Sequence, residues 1–153
     1  MAILGEKGLS GIVKRLLDLV FIGGIGIYAG IPIVLKWYME FIYSRSSESY
    51  PFLMVFLYVT GVPCLWAVYE VRKIFKTLNR MNPFMADNVK SLNHLSVTCF
   101  IIAVAYVVKI IYYPSFLTVI VAMLAVIGGL FLVVLAEVFH QAVKVKEEND
   151  LTV

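Results

Sequence analysis

The 153 residues are 61% apolar and only 15% charged, where soluble domains run at roughly 45–50% apolar and about 25% charged. With a mean hydropathy of +0.91, the chain lacks the polar surface that a water-soluble fold of this size needs. A soluble globular domain is therefore excluded, and lipid is the solvent for most of the chain. The net charge of +3 is modest; no direct nucleic-acid partner is expected, and where the charges fall matters more than their sum.

In chain order, Leu9, Ile12, Val13, Leu16 and Leu17 recur at helical spacing with Lys7 and Lys14 opposite. That pattern predicts an amphipathic helix lying on the inner leaflet before the chain turns into the membrane. The first span is predicted over residues 16–37. It is read as a retained span, because the apolar stretch is too long for a signal peptide and no small-residue cleavage site follows. Gly26 and Gly30 make a G-x-x-x-G step within it, a spacing that lets helix backbones approach closely. The second span is predicted over residues 51–69, the third over 95–113 and the fourth over 116–138. Ala125 and Gly129 in the fourth repeat the small-residue spacing. Both pairs fit packing inside one bundle or the face of a homodimer.

No apolar run shows the period-two alternation of a membrane β-barrel. The backbone must satisfy itself inside lipid, so the spans are helices. The fold class is all-α: a polytopic membrane protein, four transmembrane helices in one bundle, forming a single domain over residues 1–153. Orientation follows the distribution of Lys and Arg. Lys7, Lys14 and Arg15 precede span one, five basic residues from Arg72 to Lys90 lie between spans two and three, and Lys144 and Lys146 follow span four. The opposite side holds Lys36, Arg45 and Lys109. Both termini, the loop 72–94 and the tail 140–153 are expected in the cytoplasm of a bacterial cell, with the spans in its inner membrane. Trp37, Tyr38, Tyr43, Tyr50, Tyr112 and Tyr113 mark the outer boundary, where amphipathic rings settle.

Ionisable residues inside a membrane are costly and invite scrutiny. Asp18, Lys36, Glu40 and Lys109 lie near span ends, where they reach headgroups. Glu70 and Glu137 are the candidate intramembrane polar groups, with His140 one helical turn beyond Glu137. A Glu-x-x-His pair ligates metal in helical bundles only alongside further carboxylates and a second such pair, and this sequence has no second pair. A bond from Arg72 or Asn82 to Glu137 is the structural alternative. Cys64 and Cys99 sit in apolar runs and read as small hydrophobes. The sequence assigns no catalytic residue, no cofactor and no metal, and an enzyme is not expected.

The distinctive polar features are two. Between spans two and three, Arg80, Asn82, Pro83, Phe84, Asn88 and Lys90 form a compact group, with Asn82-Pro83 read as N-cap and first-turn proline of the third helix. At the end, Glu148, Asn149, Asp150, Leu151, Thr152 and Val153 make an acidic tail closing on apolar residues. The tail is either frayed or a peptide whose carboxylates reach back to Arg80 and Lys90. Together these residues are the candidate partner-docking surface.

Asn82-Pro83-Phe84 followed by Asn88, together with the terminal Glu148-Asn-Asp-Leu-Thr-Val153, resembles the bacterial family called domain of unknown function 2975, over nearly the whole chain. The resemblance implies a small integral membrane protein, often encoded beside a short helix-turn-helix regulator of the Xre type, and carries no catalytic residue. It supports a non-enzymatic sensor or regulatory partner that docks such a regulator at the inner face. The alternative is a small transporter, channel or immunity-type membrane protein, with Glu70, Glu137, Thr60 and Thr98 lining a polar path.

Overall fold

The computed structural model describes residues 8–43, 50–80 and 82–151. They form four helices: α1 (Leu9–Tyr43), α2 (Tyr50–Asn79), α3 (Ala86–Tyr112) and α4 (Phe116–Leu151). Each is long and apolar enough to cross a membrane, and no strand occurs among the described residues. The helices outrun the bilayer. The 36 residues of α4 extend roughly 54 Å at about 1.5 Å per residue, against a hydrocarbon core of about 30 Å.

Two local expectations change. The stretch read as an interfacial helix is the opening turns of α1, which continues into the span without a break. The α3 start also lies later than Asn82-Pro83 suggested. Its N-cap is Met85, in extended backbone and with no side-chain cap. Asn82 lies three residues before that cap, and its Oδ1 accepts a bond from Lys146 Nζ at 3.2 Å.

Short links make sequence neighbours spatial neighbours. α1 packs on α2, α2 on α3 and α3 on α4, and among the described residues no other pair of helices brings its backbones together. The bundle is thus an open row. Each seam has its own chemistry. On α4, Thr118, Ala122, Ala125 and Gly129 step by four and three along the face toward α3, and Ala136 and then Val143, past the end of the span, continue the same face. This is the spacing of left-handed helix pairs, carried by small residues as lipid-immersed packing requires. At Gly129 a Cβ would stand 3.0–3.3 Å from the Phe100 ring, so only glycine admits that ring unshifted.

The α1–α2 seam uses different glycines from those the G-x-x-x-G spacing suggested. A Cβ on Gly24 would meet Leu65 at 2.9 Å, and one on Gly61 would meet the Tyr28 ring at 2.7–2.8 Å. Tyr28 lodges in the notch that Gly61 leaves and crosses Tyr58 edge-on at 5.2 Å. Gly26 has nothing within 4 Å, and Gly30 only Val34 of its own helix at 4.0 Å. The phase of α1 explains this. Ile31, Leu35 and Met39 are its buried apolar positions, in line with Gly24 and Tyr28, while Gly26 lies about 200° round the helix from Gly24 at 3.6 residues per turn.

Candidate functional site

On α2 the buried positions Phe56, Thr60, Pro63 and Glu70 form the stripe that faces α3. Glu70 thus occupies a packing position with a carboxylate, and it is only 2% exposed. A charge buried so fully must be hydrogen-bonded and paired. Trp66 Nε1 donates to Oε1 at 3.2 Å, Lys73 Nζ to Oε2 at 3.0 Å, and His94 Nδ1 of α3 lies 3.0 Å from Oε1. The fully buried Ser91 stands in the same wall. The Trp66 and His94 rings pack at 5.6 Å. Helical spacing of three and four places Trp66 and Lys73 around the carboxylate, and the α2–α3 antiparallel pairing supplies the histidine. With its acceptors this well occupied, Glu70 acts as a polar rivet between two helices.

A second knot closes the α2–α3 turn. Asn88 is 1% exposed. Its Nδ2 donates to the Pro83 carbonyl at 2.6 Å, and its Oδ1 accepts from Thr77 Oγ1 at 2.7 Å. Its backbone N–H reaches the Met85 carbonyl at 2.9 Å. Asn88 was expected on a docking surface and instead faces inward, because the turn's own backbone groups would otherwise be buried unmet. It shapes the surface without forming part of it.

That surface is built by the turn and the far end of α4. Phe84 packs against Phe139 at 5.6 Å, and Lys146 holds Asn82. Phe84 and Met85 nonetheless remain 43% and 38% exposed, with Arg80, Asp87 and Lys90 exposed around them. Lys90 lies 3.9 Å from Asp87, its neighbour one turn back. The tail is helical through Leu151 and meets the turn through Lys146. Thr152 and Val153 lie outside the described residues.

Glu137 and His140 are exposed. Ala136 and Val143 take the face toward α3, which turns Glu137 outward. It accepts a bond from Gln141 Nε2 at 3.2 Å, whereas Arg72, once its suggested partner, binds Asp18 at 2.6 Å. Glu70 and Glu137 are not brought together, since the backbones of α2 and α4 stay apart. Thr60 and Thr98 turn their hydroxyls back to carbonyls of their own helices, Phe56 at 2.8 Å and Leu95 at 2.7 Å. Among the described residues no three His, Cys, Asp or Glu side chains gather where a metal ion could be held. Cys64 and Cys99 are free thiols.

Sequence reasoning missed Lys73 and His94 as partners of Glu70, and Thr77 as the partner of Asn88. A signal existed. Glu70 and His94 are 24 positions apart and centred on the turn at Asn82, as the partners in an antiparallel helical hairpin must be.

Residues 34–153 match the family described as "Protein of unknown function (DUF2975)". The chain is also similar to the "Uncharacterized membrane protein YoaS" of Bacillus subtilis (strain 168). The two are 23% identical over 126 residues, covering 71% of this chain and 79% of the relative. No solved structure matches.

Proposed function

This chain belongs to the DUF2975 family, and we propose that it is a non-enzymatic membrane partner that docks a cytoplasmic helix-turn-helix regulator. The observation that carries the reading is the clamp between the α2–α3 turn and α4. Phe84–Phe139 and Asn82–Lys146 tie two segments far apart in sequence into one surface that presents Phe84 and Met85 amid charged residues. Exposed apolar side chains on a fixed turn, rimmed by charge, have the anatomy of a small protein–protein contact. The Glu70–His94 rivet couples that surface to the α2–α3 pair inside the membrane, so a change of helix packing in the bilayer would reach it.

The test is co-purification from membranes of a short helix-turn-helix regulator co-expressed with the full chain. Recovery that falls at least about tenfold on Met85→Asp, a loss of about 1.4 kcal/mol, supports the reading. Recovery unaffected by Met85→Asp and by Phe84→Asp sinks it. The transporter alternative draws less support, because Glu70 and Glu137 stand on helices whose backbones stay apart and the threonine hydroxyls are used within their own helices.

A further inference from the structure

Among the described residues α1 brings its backbone only against α2, and α1, α2 and α3 together line a half-open trough of about 1010 Å³. Its walls are apolar, with Ile31, Leu35, Phe56, Leu57 and Leu65 among them. On α1 the lining runs from Val20 to Met39, roughly 28 Å of helix at about 1.5 Å per residue. The volume is at the top of the range of about 300–1,000 Å³ for small-ligand sites, and the shape is long, suiting an alkyl chain.

The end near Tyr113 differs from the rest. Lys109 lines the trough there beside Tyr38, Tyr113 and Ser115. Its ammonium stands 4.9 Å from the Phe56 centroid and 5.8 Å from that of Tyr106. Lysines near span ends normally snorkel outward, as the exposed Lys36 does at the same end. Lys109 instead is half-buried and held over two rings that favour a cation. The ion pairs among the described residues join Asp18 to Arg72, Glu70 to Lys73 and His94, and Asp87 to Lys90. None of them neutralises Lys109. A positive charge at the mouth of an apolar trough, flanked by tyrosine and serine hydroxyls, complements one chemistry: an anionic head carrying long hydrocarbon chains.

We propose that this trough is a binding site for an anionic glycerophospholipid, its phosphate on Lys109 and an acyl chain lying between α1 and α3. The site is independent of the docking surface at the other end of the helices. Lys109 sets the preference for the anion, and the apolar walls set the capacity for the chain.

The experiment is native mass spectrometry of the full-length protein released from nanodiscs of phosphatidylglycerol and phosphatidylcholine in equal amounts. The wild type is expected to retain one phosphatidylglycerol about five- to tenfold over phosphatidylcholine, in keeping with about 1 kcal/mol for one lysine at an anionic lipid surface. Lys109→Gln abolishes that preference while Lys109→Arg and Lys36→Gln keep it, helical content being checked for each by circular dichroism. Leu57→Trp, which fills the trough, lowers retention of both lipids together. The proposal is overturned if the wild type does not discriminate, or if Lys109→Gln or Lys109→Arg discriminates as the other does. It is equally overturned if the spectra show a dimer that Leu57→Trp dissolves, since the trough is then a seam between two copies.

Discussion

His94 Nδ1 stands 3.0 Å from Glu70 Oε1, joining α2 to α3 through a carboxylate that is almost wholly buried. The pair sits where the two helices leave the apolar spans, one partner contributed by each arm of the hairpin. Small-residue packing and hydrogen bonding are the forces available to helices in lipid, and the α2–α3 seam relies on the second. Its aromatic pairs, Phe56–Tyr106 at 5.1 Å and Phe52–Tyr113 at 4.9 Å, hold the far end of the same seam.

Removing the histidine leaves Glu70 buried with one donor fewer. His94→Ala is expected to destabilise the protein by about 1–3 kcal/mol, the cost of a buried polar group left short of a partner. Glu70→Ala on top of it should cost little more, giving a coupling energy of about 0.5–3 kcal/mol in a double-mutant cycle. Thermal unfolding in detergent reads both. Trp66 fluorescence in a Trp37→Phe background reports on the site itself, since the indole N–H bonds the same carboxylate. Strictly additive effects of the two substitutions would show that the pair is not coupled.

The turn should respond to Asn88 more than to any residue on its surface. Asn88→Ala removes the bonds to the Pro83 carbonyl and the Thr77 hydroxyl, and is expected to cost about 1–3 kcal/mol. It should also open the segment around Asn82–Met85 to protease in inverted vesicles. Thr77→Val, which removes the hydroxyl shared between Asn88 Oδ1 and the Ile74 carbonyl, should cost about 0.5–1.5 kcal/mol. A protease-resistant Asn88→Ala protein with unchanged melting would show that the turn is held by other contacts.

The four helices were legible because hydrocarbon leaves the backbone no alternative, and unbroken apolar runs announce that solvent directly. Lateral order was not legible. Nothing in the α1 run distinguishes Gly24, which meets Leu65, from Gly26, which meets nothing; only the partner helix sets the phase. Glu70 and Glu137 looked equivalent as carboxylates at the inner ends of spans. They part because Glu70 falls on the stripe facing α3 while Glu137 falls one position off the corresponding stripe of α4. A shift of one residue on a helix turns a side chain through about 100°, enough to exchange a buried rivet for an exposed charge. Asn88 shows the same limit in reverse, a polar residue in a predicted loop that proves to be the most deeply buried group of the turn.

The glycines offer a contrast that needs no knowledge of function. Gly61→Ala puts a methyl group 2.7–2.8 Å from the Tyr28 ring, and Gly129→Ala puts one 3.0 Å from Phe100. Overpacking of this kind costs about 1–3 kcal/mol, so both should lower the melting temperature, Gly61→Ala the more. Gly26→Ala meets open space and should leave the monomer unchanged or slightly stabilised, alanine being the better helix former by about 1 kcal/mol. If Gly26 and Gly30 join two copies, Gly26→Ile abolishes chemical crosslinking between chains without moving monomer stability. Equal melting losses at Gly26 and Gly61 would mean that the α1–α2 seam has a different phase.

Orientation is tested separately from packing. The arginine and lysine excess on the turn and the α4 extension predicts that Lys76→Cys and Lys144→Cys react with a membrane-impermeant maleimide in inverted vesicles and stay protected in intact cells. Both side chains are exposed, so protection would come from the bilayer and not from burial in the protein. Lys36→Cys, exposed at the opposite end of α1, should label in intact cells instead. Phe84 and Met85 share the end of the molecule that carries Lys76 and Lys144, so the result decides which compartment the docking surface faces. Labelling of Lys76→Cys from outside the cell would place that surface away from every cytoplasmic regulator, while leaving the helix packing and the Lys109 trough as they are.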